Sequence, residues 1–196
     1  MNLKVRNKLT VGLTGGILCG KSTALRVWKK AGAQTLSCDE IVRKTSARPV
    51  VRQKIATVLG VSERAALARK VFSSAAARKK LEDILHPLVY KEIAARLKKS
   101  TQIVRVVEVP LLFEANWENF FDITVALITS EKLLAARAKK RGISGADLRL
   151  RQRAQMSQTQ KAARADICIL NDGSTKDLTR KIGALHRALN RIYNVK

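Results

Sequence analysis

Apolar and β-branched residues gather into five short runs, Leu9–Leu13, Ala33–Ser37, Ile103–Val109, Ile123–Ile128 and Ile167–Leu170, each separated from the next by longer stretches with helical periodicity. Strands alternating with helices imply βαβ units and a parallel sheet. The helical spacing predicts segments at Lys21–Lys30, Asp39–Thr45, Val50–Leu59, Arg64–Val71, Ala75–Leu85, Pro87–Lys99, Ser130–Arg141, Asp147–Ala163 and Lys176–Asn194. In the first of these, Ala24, Leu25, Val27 and Trp28 share a face, and Gly32 follows as a stop signal. The fold class this predicts is α/β, a three-layer αβα sandwich around a five-stranded parallel sheet. No internal repeat appears, and no linker rich in Gly, Pro or Ser divides the chain.

Length and composition agree with one folded domain: 196 residues can bury a sizeable core. No apolar run approaches the roughly 20 residues of a membrane-spanning helix. The three cysteines, Cys19, Cys38 and Cys168, are odd in number and lack metal-ligand spacing. That usage suits a reducing compartment and small packing residues rather than ligands.

The connection between the first strand and its helix carries the strongest chemistry. Gly15-Gly16-Ile17-Leu18-Cys19-Gly20-Lys21-Ser22-Thr23 satisfies the Gly-x-x-x-x-Gly-Lys-Ser/Thr pattern of a phosphate-binding loop. Such a loop wraps a phosphate in successive backbone N–H groups at a helix N-terminus. Its lysine reaches the β- and γ-phosphates, and its hydroxyl residue, here Ser22, ligates Mg²⁺. The plainer reading is a chance glycine-rich turn, and strand, loop and helix in register argue against it. Lys4, Arg6 and Lys8 ahead of this apolar stretch imitate a secretory signal. Cleavage there would remove the loop, so the chain is expected to stay unprocessed and cytoplasmic.

Charge complicates the picture. Lys and Arg number 39 against 15 Asp and Glu, a formal charge of +24. Such a surplus attracts polyanions in a salt-dependent way. Aromatic residues make up only 4% of the chain, too few for a stacking platform on single strands. The basic residues are spread over the whole sequence, which favours a diffuse bias and leaves nucleic acid as a non-specific electrostatic partner. The segment 131–164 is the most charged; its arginines and lysines, Lys161 among them, read individually as a solvated helix face and together as a lid over a polyphosphate.

The second predicted strand ends just before Asp39, at the sheet edge where open α/β folds bind ligands. A carboxylate there can orient or deprotonate an attacking hydroxyl, and Arg43, one helical turn on, can pair with it or hold a phosphate. As a plain helix N-cap, Asp39 needs no ligand.

Several blocks together resemble the dephospho-coenzyme A kinase family. They are Gly12–Ile17, Cys38–Arg43, Leu81–Val89 with its His86-Pro87 pair, Val109–Glu114, and Ala165–Asn171, in that order. The resemblance spans nearly the whole chain. It implies transfer of the γ-phosphate of ATP to the 3′-hydroxyl of dephospho-coenzyme A, with Mg²⁺ as cofactor and a nucleotide-kinase-like core carrying a helical lid. It implies one kinase domain over 1–196, with residues 39–100 as the acceptor-binding helical region and 131–164 as the lid. A monomer is expected.

The resemblance also distributes roles. Asp39 matches the carboxylate that activates the ribose hydroxyl, and Arg43, Arg64, His86 and Pro87 match acceptor-side positions. Leu111, Phe113 and Glu114 follow the third strand; Leu111, Leu112 and Phe113 either pack on the acceptor or fill the core, with the core preferred for Leu112. Independently of the resemblance, Glu108 at the end of the same strand can support Mg²⁺ through water, as carboxylates do near phosphate loops. Arg137 and Arg141 match the lid pair that neutralises the transferring phosphoryl group. Gln155 matches an acceptor-side lid element with Arg151, and Asn171 borders the adenine. His86 before Pro87 is alternatively only a helix break.

Two departures bear on mechanism. Leu18 stands where the family has glycine, which is costly if the position requires positive φ. Ser37 stands where the family has a first aspartate, leaving Asp39 as the sole carboxylate of that pair. The turn at 62–67 is also compact, though Arg64 and Leu67 still match. The competing readings are a basic P-loop NTPase associated with nucleic acid, a kinase for another small acceptor, and a paralogue impaired by Leu18.

Overall fold

The computed structural model describes residues 3, 4 and 7–194; Arg6 lies outside the described residues. Five strands form one parallel sheet: β1 (Leu9–Gly15), β2 (Gln34–Ser37), β3 (Val104–Glu108), β4 (Ile123–Ile128) and β5 (Ile167–Leu170). Their order is β2-β3-β1-β4-β5, so β1 is central, and all seven of its residues are buried. A strand enclosed by neighbours and covered on both faces has no solvated side, which is why Leu9–Leu13 reads as an uninterrupted apolar run. Registers such as Leu13 with Glu108 and Ser37 with Glu108 bring the carboxyl ends of β1, β2 and β3 level.

The chain divides into two compact units. The first, Met1–Ser37 with Lys99–Lys196, holds the sheet. Its helices are α1 (Lys21–Lys30), then, after the inserted second unit, α6 (Glu131–Lys140), α7 (Gly145–Arg153), α8 (Gln158–Arg164) and α9 (Thr175–Asn194). The sheet core, Leu9, Val11, Leu13, Val104, Val106, Val125 and Leu127, continues into Trp28 of α1 and Ile182 and Leu189 of α9. Trp28 is fully buried with its ring edge-on to His186 at 5.5 Å. The helix α1 keeps its predicted bounds, and Gly32, with φ of 99°, supplies the left-handed turn that ends it.

The second unit, Cys38–Lys98, is helical: α2 (Cys38–Ser46), α3 (Pro49–Leu59), α4 (Arg64–Ser73) and α5 (Ala75–Lys99). It has its own smaller core of Val51, Ile55, Leu59, Ala77, Ile84 and Leu85. Pro49 opens α3 and Gly60 (φ 65°) closes it, while Lys70 Nζ donates to the Leu59 carbonyl at 2.7 Å.

Two boundaries differ from the sequence expectation. The predicted break at His86-Pro87 is absent, and α5 runs unbroken through Pro87. Pro87 is exposed, as is Asp83, whose carbonyl loses its intrahelical donor, so water can take the donor's place. On the other side Ile84, Leu85, Val89 and Ile93 are buried and hold both halves in line. Conversely, the single helix predicted at Asp147–Ala163 is two. Ser157 accepts from Gln160 N and Gln160's side chain accepts from Ser157 N, a capping box that starts α8 afresh.

Candidate functional site

The phosphate loop follows β1 directly. Gly15 has φ of 145°, and a Cβ there would lie 2.2 Å from the Leu127 carbonyl oxygen, so only glycine fits between strand and loop. Leu18 (φ 58°) and Gly20 (φ 95°) are both left-handed. Left-handed residues interspersed with ordinary ones curl a chain so that its N–H groups converge into an anion nest. Gly20 then serves as N-cap of α1, its carbonyl accepting from Thr23 N at 3.0 Å and Ala24 N at 2.9 Å. Lys21 folds back over the loop, donating to Gly15 O at 3.0 Å and Gly16 O at 2.7 Å. Ser22 is exposed in the first helical turn. Position 18 thus does take positive φ, and a leucine there costs about 1 kcal/mol relative to glycine.

Side chains from three directions brace this loop. Asn171, which is 4% exposed, donates from Nδ2 to Cys19 O at 2.8 Å. Arg137 donates to Leu18 O at 3.0 Å and to Asn171 O at 2.9 Å. Gln158, which the sequence reading missed, accepts from Cys19 Sγ at 2.8 Å and Thr129 N at 2.8 Å while donating to Thr129 O at 3.1 Å. Cys19 is fully buried, which raises its thiol pKa, and it packs in the sheet core as expected of a small apolar residue. Beside the loop, a cavity of about 360 Å³ is lined by Gly20, Thr23, Arg137, Arg141, Asn171 and Lys140 of the charged segment. Asn171 thus lines this cavity and ties the loop at once.

The segment after β3 is likewise tied down. Lys161 is fully buried rather than part of a solvated face; its ammonium donates to Pro110 O at 2.5 Å and pairs with Glu114 Oε1 at 3.0 Å. The same oxygen accepts from Met156 N at 2.8 Å, while Glu114 Oε2 is buried without a hydrogen-bond partner. Leu112 and Phe113 are buried, Phe113 with the Arg164 guanidinium 4.9 Å from its ring centroid. Leu111, by contrast, is 41% exposed. Gln155 lines a cavity of about 340 Å³ together with Gly16 and Ile17. Glu108, the last residue of β3, is buried beside Leu13, two residues before the loop.

The second unit contains an open cavity of about 760 Å³ lined by residues between Asp39 and Leu85. Asp39, Arg43 and Arg64 all line it, as does Arg52, which the sequence reading did not single out. Val42, Ile55, Val61, Leu67, Leu81 and Leu85 form its apolar wall. Asp39 lies within the first turn of α2, since that helix begins at Cys38. His86 and Pro87 follow on α5 and are not among the residues lining this cavity.

A loop built to cradle phosphate and a separate cavity combining guanidinium groups, one carboxylate and an apolar wall suit a phosphotransferase with an amphipathic anionic acceptor. Among the described residues no cluster of three or more His, Cys, Asp or Glu is positioned to hold a metal. No described helix is long and apolar enough to cross a membrane.

Comparison with known proteins agrees. A solved structure from Campylobacter jejuni, a dephospho-CoA kinase, superposes with a TM-score of 0.69 over 93% of this chain and 97% of that one, at 23% identity, and shares the P-loop kinase fold. TT1252 from Thermus thermophilus superposes with a TM-score of 0.83 at 31% identity, covering 93% of this chain and 98% of its own. A dephospho-CoA kinase of Methylococcus capsulatus is 36% identical over 189 residues, 91% of this chain and 96% of the relative. The dephospho-CoA kinase family model matches residues 9–177. With the family model matched over residues 9–177 and a relative 36% identical across 91% of this chain, the chain belongs to the dephospho-CoA kinase family.

Proposed function

We propose that the protein transfers the γ-phosphoryl group of ATP to the 3′-hydroxyl of dephospho-CoA, the final step of coenzyme A biosynthesis. The observation that carries this reading is the complete phosphate loop, from Gly15 through Ser22 into α1, in a member of this family. The loop amides and Lys21 hold the phosphates. Lys21 exchanges its two loop carbonyls for phosphate oxygens when ATP binds. Arg141, exposed beside the loop cavity, is the lid guanidinium available to the transferring group. Arg137 acts on the same group through the loop it holds.

Asp39 orients and deprotonates the acceptor hydroxyl, and Arg43 and Arg64 hold acceptor phosphate. The apolar wall takes the acceptor's less polar arm. Positioning and charge stabilisation, not covalent chemistry, then supply most of the acceleration. The exposed Ser22 hydroxyl and the buried Glu108 carboxylate are oxygen donors of the kind Mg²⁺ takes alongside substrate phosphates. When bound, Mg²⁺ neutralises charge on those phosphates. The protein acts as a cytoplasmic monomer.

A coupled ADP-release assay tests this reading. Dephospho-CoA should be consumed with stoichiometric formation of CoA. ATP hydrolysis stimulated by nucleic acid, with dephospho-CoA inert, would overturn it.

A further inference from the structure

Leu18 is the strained residue of the phosphate loop, and its side chain packs against a buried cluster made entirely by the lid. That cluster contains Leu134 and Ala138 of α6 and Leu148 of α7, with Ile17, Leu18 and Ile143 packed on it. Leu18 is also held at its backbone, where its carbonyl accepts from Arg137, one turn along α6 from Leu134. The two contacts are of different kinds and come from the same element. A glycine in this position would keep the φ of 58° at no cost but would have nothing to insert into the cluster.

We propose that Leu18 is a positioning residue: its side chain fastens the phosphate loop to the lid, so that affinity for ATP depends on apolar packing at the junction of α6 and α7. The strain at Leu18 is the cost of that attachment, offset by burial against Leu134 and Leu148. In a loop with glycine at this position, Ile17 alone carries the apolar packing between nest and lid. Here Leu18, the residue whose carbonyl Arg137 holds, adds a second apolar contact, and loosening the lid cluster loosens the nest.

The inference rests on the ATP reading, and calorimetric titration of the intact protein with Mg-ATP separates their failures. No binding by the parent protein would remove the ATP reading itself. If the parent binds, Leu18→Gly, which relieves backbone strain but deletes the anchor, should weaken ATP binding about tenfold, as for a moderate coupling between sites. Leu18→Ala, which keeps the strain, should weaken it at least as much. KM for ATP should rise in step while kcat at saturating ATP falls by less than about threefold. Leu148→Ala should weaken binding as well, and the Leu18→Gly/Leu148→Ala pair should lose no more than Leu18→Gly alone. Parental or tighter ATP binding by Leu18→Gly would show that the leucine is only a tolerated strain. Multiplicative losses in the double variant would show that loop and lid act independently. Either result overturns the proposal.

Discussion

The two sites this chain carries are built in opposite ways. Around the phosphate loop every support is buried or points inward: Asn171, Gln158 and Arg137 tie backbone and thiol, and Lys161 with Glu114 secures the segment after β3. In the helical unit the cavity is formed by exposed side chains, Asp39, Arg43, Arg52 and Arg64, standing over an apolar wall. The first arrangement makes binding geometry and fold stability one property, because a brace that is removed leaves a buried partner unsatisfied. The second separates them, since an exposed charge can be changed without unsettling a core.

The sharpest test of this contrast is Asp39→Asn. An exposed residue on the first turn of α2 should be dispensable for folding, yet turnover should fall about a thousandfold, the scale of a lost general base. ATP affinity by calorimetry should stay within about twofold, and unchanged turnover would take Asp39 out of the chemistry. Lys161→Met tests the opposite property. Removing the buried ammonium strands the Glu114 carboxylate, and urea denaturation should report a loss of about 3 kcal/mol. A variant of parental stability would mean the pair is no more than a surface-like contact.

Arg64→Ala returns to the open cavity. KM for dephospho-CoA should rise about tenfold from the loss of one charge-assisted contact, while the melting temperature barely moves. A matching fall in melting temperature would break the distinction between the two sites. The smallest effect is expected at His186 on α9, beside the C-terminal end of α1. Burial foremost, with Arg187 adding to it, holds its pKa below the ordinary value, while the Ala31 backbone opposes them; its ring also meets Trp28 and Asn190. A histidine kept neutral by folding takes up protons more readily when unfolded. Its stabilising contribution is present above pH about 6.5 and is lost as pH falls below that value. His186→Gln should therefore flatten the melting temperature between pH 7 and 5, and an unchanged slope would place the titration elsewhere.

Much of this was legible in the chain. The five strands appear where the apolar runs lie, within two residues at each end. The phosphate loop was legible because its chemistry is local: glycines at fixed spacing, then a lysine and a hydroxyl. The cost of Leu18 could be framed from sequence but not decided, because φ is set by what the loop must wrap. The break before α8 was in fact written in Ser157-x-x-Gln160, a capping-box signature outweighed by the surrounding helical periodicity. The continuity of α5 through Pro87 had no such signature, because it depends on which face of that helix is buried. Gln158 and Arg52 escaped notice, and Lys161 was read as solvated, for a shared reason: a glutamine, an arginine and a lysine in charged helices look solvated until a partner distant in sequence is brought beside them.

By itself, then, the sequence determined the layering of the fold, the order of its elements and the location of the nucleotide-binding loop, because each follows from periodicity or from spacing within ten residues. Only the tertiary structure decided which polar side chains brace and which remain open to a ligand. Gln158 reaches Cys19 across 139 residues and Asn171 reaches it across 152, so their roles arise when the chain closes and not along it.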